Sequence, residues 1–235
     1  MRGSENMMRW VKRIALIIGG LIAAAVLVGV GYEQIMRWRA AREFPVQGRL
    51  IDIGGRHMQI DCRGSGTPTV VFEAGLDTMG SLSWSAVHDA IAATTRACAY
   101  SRAGVMWSES RAGKFEPDNV ARDLHTLLLA AGERGPFVMV GHSLGGPYIM
   151  NFTRLYPQDV AGLVFVDASH PDQVGRMTQA AGKKMEAGMG MMKAATLSAA
   201  GQLRQLGDRP IVVLTATKPY PAEMLKAMQM TTEKL

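Results

Sequence analysis

The chain has 235 residues, of which 48% are hydrophobic, 20% charged and 6% aromatic. That is enough for one sizeable domain with a buried core, and too apolar for an intrinsically disordered protein. The formal charge of +6 is concentrated at one end: residues 1–49 carry 8 Lys/Arg against 3 Asp/Glu, and residues 50–235 carry 18 against 17. The body of the chain is close to neutral and has no basic stripe to follow a phosphate backbone, which argues against nucleic acid as a partner. Two cysteines, Cys62 and Cys98, exclude a disulfide-framework miniprotein and a cysteine-rich structural zinc site.

Residues 14–30 (IALIIGGLIAAAVLVGV) contain no charge and no strongly polar side chain. As a helix at about 1.5 Å per residue this run reaches roughly 26 Å, just short of the ~30 Å hydrocarbon core. Val11 and Gly31 lengthen it, and Trp10, Tyr32 and Trp38 flank it where amphipathic rings favour the headgroup layer. The pattern predicts a basic flank over 1–13, a transmembrane anchor over 14–31 and a polar connector over 32–48. A cleaved signal peptide is the alternative, given the small residues Ala23, Ala24 and Ala25, but no polar segment precedes a cleavage site there. Arg2, Arg9, Lys12 and Arg13 ahead of the run lean toward a cytoplasmic N-terminus and an exported, periplasmic or extracellular, domain.

From residue 49 the pattern changes to short apolar runs alternating with helix-like stretches. Residues 49–53 and 57–62 flank Gly54 and Gly55, which can both take positive φ, and so predict a hairpin. Runs at 69–74 (TVVFEA), 96–101 (RACAYS), 136–141 (PFVMVG), 162–167 (GLVFVD) and 210–216 (PIVVLTA) suit strands covered on both faces. Helix-like stretches fall at 84–94, 119–131, 146–155 and 175–206. This alternation predicts an α/β domain over 49–235 with a mostly parallel sheet and helices on both sides.

Gly141, His142, Ser143, Leu144 and Gly145 form a G-x-S-x-G pentapeptide between an apolar strand and a helix start. A serine on a strained strand-to-helix turn presents its hydroxyl above the sheet edge, and flanking glycines let the backbone turn without a Cβ clash. The helix that follows aims backbone N–H groups at developing negative charge. The segments VVFEAGL, CAYSRAG, VGHSLGG and FVDASHPDQ, in that order, resemble the α/β-hydrolase superfamily, in particular its membrane-anchored or exported bacterial serine hydrolases. The resemblance covers roughly residues 49–235. It implies Ser143 as nucleophile, with the backbone N–H groups of Leu144 and of Leu76 (after Gly75) as the oxyanion hole. It also implies Asp167, at the end of the sixth strand, as the triad acid, although an ordinary loop-capping role remains open for it. One departure is Ser101 before Arg102, where the family has Asp; the change removes a local carboxylate partner for the arginine.

The resemblance further implies a general-base histidine on a loop after an eighth strand. The histidines here are His57, His88, His125, His142 and His170, and the strand count from residue 49 reaches seven before a helix-like stretch at 221–235. The expectation is therefore a hydrolase fold recorded as a C-terminally shortened chain, with strand seven as an open, aggregation-prone edge. His170 is the only histidine downstream of Ser143; as part of S-H-P-D it reads as a loop residue more than a surrogate base. His57, His88 and His125 read as polar-surface residues, and His142 as orienting the turn. In the superfamily's strand order, 1-2-4-3-5-6-7-8, the strands of Cys62 and Cys98 are neighbours, which makes the pair a disulfide candidate; two buried thiols are the alternative. Residues 171–208, rich in methionine (Met177, Met185, Met189, Met191 and Met192), read as a cap over the site or as a loose helical connector. No metal-ligand spacing or nucleotide motif occurs, so no cofactor is implied. Two functions stay open: a serine hydrolase of carboxylic esters or related small acyl substrates, and a non-catalytic membrane-tethered scaffold.

Overall fold

The computed structural model describes residues 2–76, 78–113, 116–172, 190–203 and 205–217. The chain divides into two units, Met1–Val46 and Gln47–Leu235.

The first unit is one helix, α1 (Arg2–Glu43). Within Lys12–Glu43 its most apolar 18-residue window has a mean hydropathy of 2.6 and is not buried, so the helix is long and apolar enough to cross a membrane. The polar stretch after residue 31, read as a connector, stays helical as far as Glu43. Local pairs support that turn of helix: Arg37 bonds Glu33 four residues back at 2.6 Å, and the Arg42 guanidinium lies 3.8 Å above the Trp38 ring. The helix stops just short of Pro45, whose ring disfavours helical geometry in the preceding residue.

The second unit is built on a seven-stranded sheet. Its strands are β1 (Arg49–Asp52), β2 (His57–Arg63), β3 (Val70–Glu73), β4 (Ala97–Tyr100), β5 (Phe137–His142), β6 (Val160–Val166) and β7 (Ile211–Leu214). They lie in the order β1-β2-β4-β3-β5-β6-β7. β1 and β2 form the expected antiparallel hairpin, and β4, β3, β5, β6 and β7 run parallel. The hairpin closes at Gly54 (φ +98°) and Gly55 (φ +90°), whose N–H groups both donate to the Asp52 carboxylate at 2.9 Å. Those two bonds hold the exposed Asp52 carboxyl below the usual carboxylate range.

Why the strand runs are apolar throughout is visible in the register. Cys98, Val71, Met139 and Leu163 form one row across β4, β3, β5 and β6, and Ala99, Phe72, Val140 and Val164 form the next. Successive residues point to opposite faces. The first row joins a core with Leu124, Leu127 and Leu128 of α3 (Pro117–Ala131) and Ile149 and Phe152 of α4 (Gly145–Leu155). The second row packs on Trp84, at the end of a 3-10 turn, and on Ile91 of α2 (Ser85–Ala92). Both faces are therefore covered, and alternation between polar and apolar residues is lost. Each large side chain fully buried in this way contributes about 1.5–3 kcal/mol. Beyond β6, the helix-like stretch at 175–206 yields α5 (Gly190–Ala200), which packs on α3 and α4; the rest of the cap reading (173–189) and the stretch at 221–235 lie outside the described residues.

Cys62 of β2 stands directly opposite Cys98 of β4, and their sulfurs are bonded at 2.08 Å. The link ties the antiparallel hairpin to the parallel part of the sheet. All four β7 side chains are exposed, from 40% at Ile211 to 64% at Val213.

Candidate active site

The parallel strands end along one edge, and there β5 hands the chain to α4 through Ser143. Ser143 has φ +51°, a left-handed conformation that costs an L-residue about 1–2 kcal/mol. The surroundings hold it in place. Its N–H donates to the Val166 carbonyl at 3.2 Å, and its own carbonyl accepts from Gly146 at 3.1 Å and Ser169 at 2.9 Å. Three glycines make this turn possible, each for a different reason. A Cβ at Gly141 would lie 2.6 Å from the Gly145 carbonyl; one at Gly145 would lie 2.3 Å from the Glu73 oxygen; one at Gly146 would lie 2.5 Å from the Ala168 Cβ. The turn is thus clamped between the ends of β3 and β6. Leu144 opens α4 with helical geometry (φ −63°), and first-turn amides of a helix have no partner within it.

Gly75, past the end of β3, faces the serine: a Cβ there would stand 3.2 Å from both the Ser143 Cβ and the His142 Nδ1. The orientation of this loop is fixed from behind by Arg102. Its guanidinium donates to the Ala74 carbonyl at 2.7 Å, to the Gly75 carbonyl, and to the Glu73 carboxylate at 2.5 Å. In a trans peptide the C=O and the following N–H point in opposite directions. With the Gly75 carbonyl turned to Arg102, the Leu76 N–H faces away from it.

Glu73 is 1% exposed, so its charge depends on its partners, which are Arg102 and the Tyr100 hydroxyl. Burial, reinforced by the Glu73 charge, pushes the Tyr100 hydroxyl well above its usual pKa. Burial works against the Arg102 cation, but its neighbours, Glu73 first and then Tyr100 and Tyr148, together more than compensate and hold it above the ordinary arginine value. Arg102 also lies 4.9 Å from the Tyr148 ring centre, and burial raises the Tyr148 hydroxyl as well. The loss of Asp before Arg102 therefore leaves no unpaired arginine. The carboxylate comes from strand β3, and Ser101 instead donates to Gln59 at 2.7 Å. Sequence reasoning missed Glu73, Tyr100 and Tyr148. The available signal was a glutamate inside an otherwise apolar strand, which demands a buried cation.

Asp167 follows β6 as Ser143 follows β5, on strands where His142 is paired with Val166. It too has positive φ (+44°), and its N–H donates to the Leu214 carbonyl at 2.7 Å. None of the five histidines is hydrogen-bonded to the serine hydroxyl among the described residues. His57 lies 3.6 Å from Glu109, and His125 pairs with Asp159 at 3.0 Å while stacking on Tyr156. His142 meets the Trp84 ring edge-on, and exposed His170 accepts from the Asp172 N–H at 3.1 Å within its own loop. His88 corrects the surface reading: it is 2% exposed and hydrogen-bonds the Ala97 carbonyl at 3.0 Å, beneath Phe72.

Residues 68–204 match the family model described as the alpha/beta hydrolase fold. The chain belongs to the α/β-hydrolase family. Its strand order is the one this resemblance implied for strands one to seven. The chain is 23% identical over 166 residues to uncharacterized protein YbdG of Bacillus subtilis, covering 69% of this chain and 51% of that one. It is 34% identical over 128 residues to the probable transporter efuK of Hormonema carpetanum, covering 51% and 18%. It spans about half the length of the first of these curated relatives and less than a fifth of the second. Among solved structures, a thermophilic esterase from Thermogutta terrifontis superposes with a TM-score of 0.52 at 19% identity, covering 78% of this chain and 85% of that one. An epoxide hydrolase from Bacillus megaterium does so with 0.50 at 19%, covering 60% and 49%. At such identities the likeness is one of fold.

The buried Tyr100–Glu73–Arg102 cluster gives the domain an alkaline limit. A tyrosine whose folded pKa is raised contributes stability that is whole below the unfolded value, about 10, and is lost as pH rises toward the folded one. Unfolding midpoints measured from pH 9 to 11.5 are expected to fall steeply above about pH 10. Tyr100→Phe should flatten that fall; an unchanged slope would mean that Tyr100 is not held neutral by this cluster.

Proposed function

We propose that the protein is a serine hydrolase of carboxylic esters or related small acyl substrates, acting through an acyl-enzyme at Ser143. Membership of the α/β-hydrolase family supports hydrolase chemistry in general. The observation that carries the finer reading is the strained Ser143 (φ +51°) at the β5–α4 turn, with Gly75 packed against its Cβ. In this reading the Ser143 oxygen attacks the acyl carbon and its proton leaves to a base. The Leu144 and Leu76 N–H groups stabilise the oxyanion, each by about 2.7–4 kcal/mol. Collapse expels the alcohol, which takes up the proton, and water then releases the acid. Asp167, on the same strand edge, is the acid of the triad. A second reading, a membrane-tethered scaffold without catalysis, is favoured by the five histidines, none of which is hydrogen-bonded to the Ser143 hydroxyl among the described residues.

Reaction of the full chain with a fluorophosphonate, followed by peptide mass analysis, separates the two. The hydrolase reading expects one adduct on Ser143, none in Ser143→Ala, and p-nitrophenyl butyrate turnover that falls at least about 1,000-fold in that variant. No adduct and no Ser143-dependent turnover would leave the scaffold reading.

The apolar span of α1 supports a single-pass anchor, and the Cys62–Cys98 bond supports an oxidising, exported side for the domain. The expected outcome is a protein that resists carbonate extraction from membranes and whose cysteines alkylate only after reduction. Release by carbonate would refute the anchor, and alkylation of both thiols without reductant would refute the exported side.

A further inference from the structure

Tyr148 stands one helical turn beyond Leu144 on α4, and its N–H donates to the Leu144 carbonyl at 3.3 Å. Residues four apart share a helix face. Because the Leu144 amide is one of the two proposed oxyanion donors, the helix itself fixes where Tyr148 sits relative to that donor. The Tyr148 ring is buried, and the Arg102 guanidinium lies over it, 4.9 Å from the ring centre. Its hydroxyl is hydrogen-bonded to Thr196, a fully buried residue of α5, the helix that packs on α4. One side chain thus touches the arginine of the β3 loop at its face and the cap segment at its tip.

Arg102 in turn orients the second donor, through its bonds to the Glu73 carboxylate at 2.5 Å, to the Ala74 carbonyl at 2.7 Å and to the Gly75 carbonyl. A guanidinium is planar and donates within its plane, so these bonds locate its edge. They resist a tilt of the plane less well, because a hydrogen bond weakens steeply only far from linear geometry. An aromatic ring against the guanidinium opposes that tilt, by filling the space and by attracting the cation to its face. We infer that Tyr148 is a positioning residue for the proposed reaction: its ring, steadied at the hydroxyl by Thr196, braces the Arg102 plane and so sets the spacing between the Leu76 and Leu144 amides. This role rests on the serine reading of Ser143, whereas the brace on Arg102 is a property of the fold alone.

Nuclear magnetic resonance of the full chain in detergent, with isotope-labelled arginine, reads the brace without any chemistry. The quantity measured is the rate at which the Arg102 guanidinium rotates about its Nε–Cζ bond, the signal being assigned by its loss in Arg102→Lys. Tyr148→Met fills the space without an aromatic face. It is expected to speed this rotation at least about tenfold, while Tyr148→Phe, which keeps the face, stays within about threefold of the parent. Turnover of p-nitrophenyl butyrate should follow: kcat falls at least about tenfold in Tyr148→Met with KM kept, because the loss falls on the transition state, and Tyr148→Phe restores most of it. If Tyr148→Met does not fold, Thr196→Val frees the tyrosine hydroxyl and should speed the rotation about threefold. Unchanged rotation in a folded Tyr148→Met or Thr196→Val protein, or equal losses in Tyr148→Phe and Tyr148→Met, would overturn the brace. A raised KM with kcat kept would overturn it too, by making Tyr148 a substrate contact. Turnover absent from the parent sinks the serine reading and the role with it, even where the rotation shows the brace; turnover present with unchanged rotation sinks the brace alone.

Discussion

No side-chain carbon fits at positions 141, 145 and 146, because the backbone of β5 and the start of α4 lie against the ends of β3 and β6. That close approach forces Ser143 into a conformation which an L-residue adopts only when its neighbours leave no other. The rest of the site is organised around it. The end of β3 supplies the Glu73 oxygen against Gly145 and the Gly75 surface against Ser143; the end of β6 supplies Val166, Ala168 and Ser169. A relaxed turn would re-aim the half-buried serine and would pull apart the two strand ends that carry the other groups.

The same strand that crowds the turn also carries a buried charge. Glu73 holds Arg102, and Arg102 holds two successive carbonyls of the loop next to the serine. A buried ion pair of this kind is a weak source of net stability, since desolvation offsets much of the attraction. Its value here is geometric. With Ala74 and Gly75 fixed by a planar guanidinium, the peptide ahead of Leu76 cannot flip without leaving an arginine donor unmatched. A preorganised amide of this sort is what electrostatic catalysis uses, because it need not reorient as charge develops. The two halves of the proposed oxyanion hole thus have separate physical origins: helix geometry for Leu144, and an arginine clamp for Leu76.

Much of the fold was legible in the residues because strands buried on both faces announce themselves as unbroken apolar runs. Residues 69–74, 96–101 and 136–141 read correctly for that reason, and the Gly54–Gly55 turn did so because positive φ is what those glycines permit. The pairing of Cys62 with Cys98 needed the strand order, which the resemblance supplied and the register realises. Other features depend on contacts between distant residues and leave little local trace. Glu73 and Arg102 are separated by 29 positions, so the clamp could not be read from either segment alone. His88 looked like a surface residue because helix periodicity does not tell which flank meets the sheet, and a single bond to Ala97 decides it. The helical stretch to Glu43 was masked by its polar composition, which suits a solvated helix as well as a linker.

The central claim is that an oxygen attached to Ser143 meets two main-chain amides at the mouth of this turn. A crystal structure of the protein carrying a phosphonyl group on Ser143 tests it directly. The account predicts a phosphonyl oxygen within about 2.7–3.1 Å of both the Leu76 and the Leu144 nitrogens, with the Arg102 guanidinium still on the Gly75 carbonyl. A phosphonyl oxygen turned to solvent, or a Ser143 with negative φ, would contradict it.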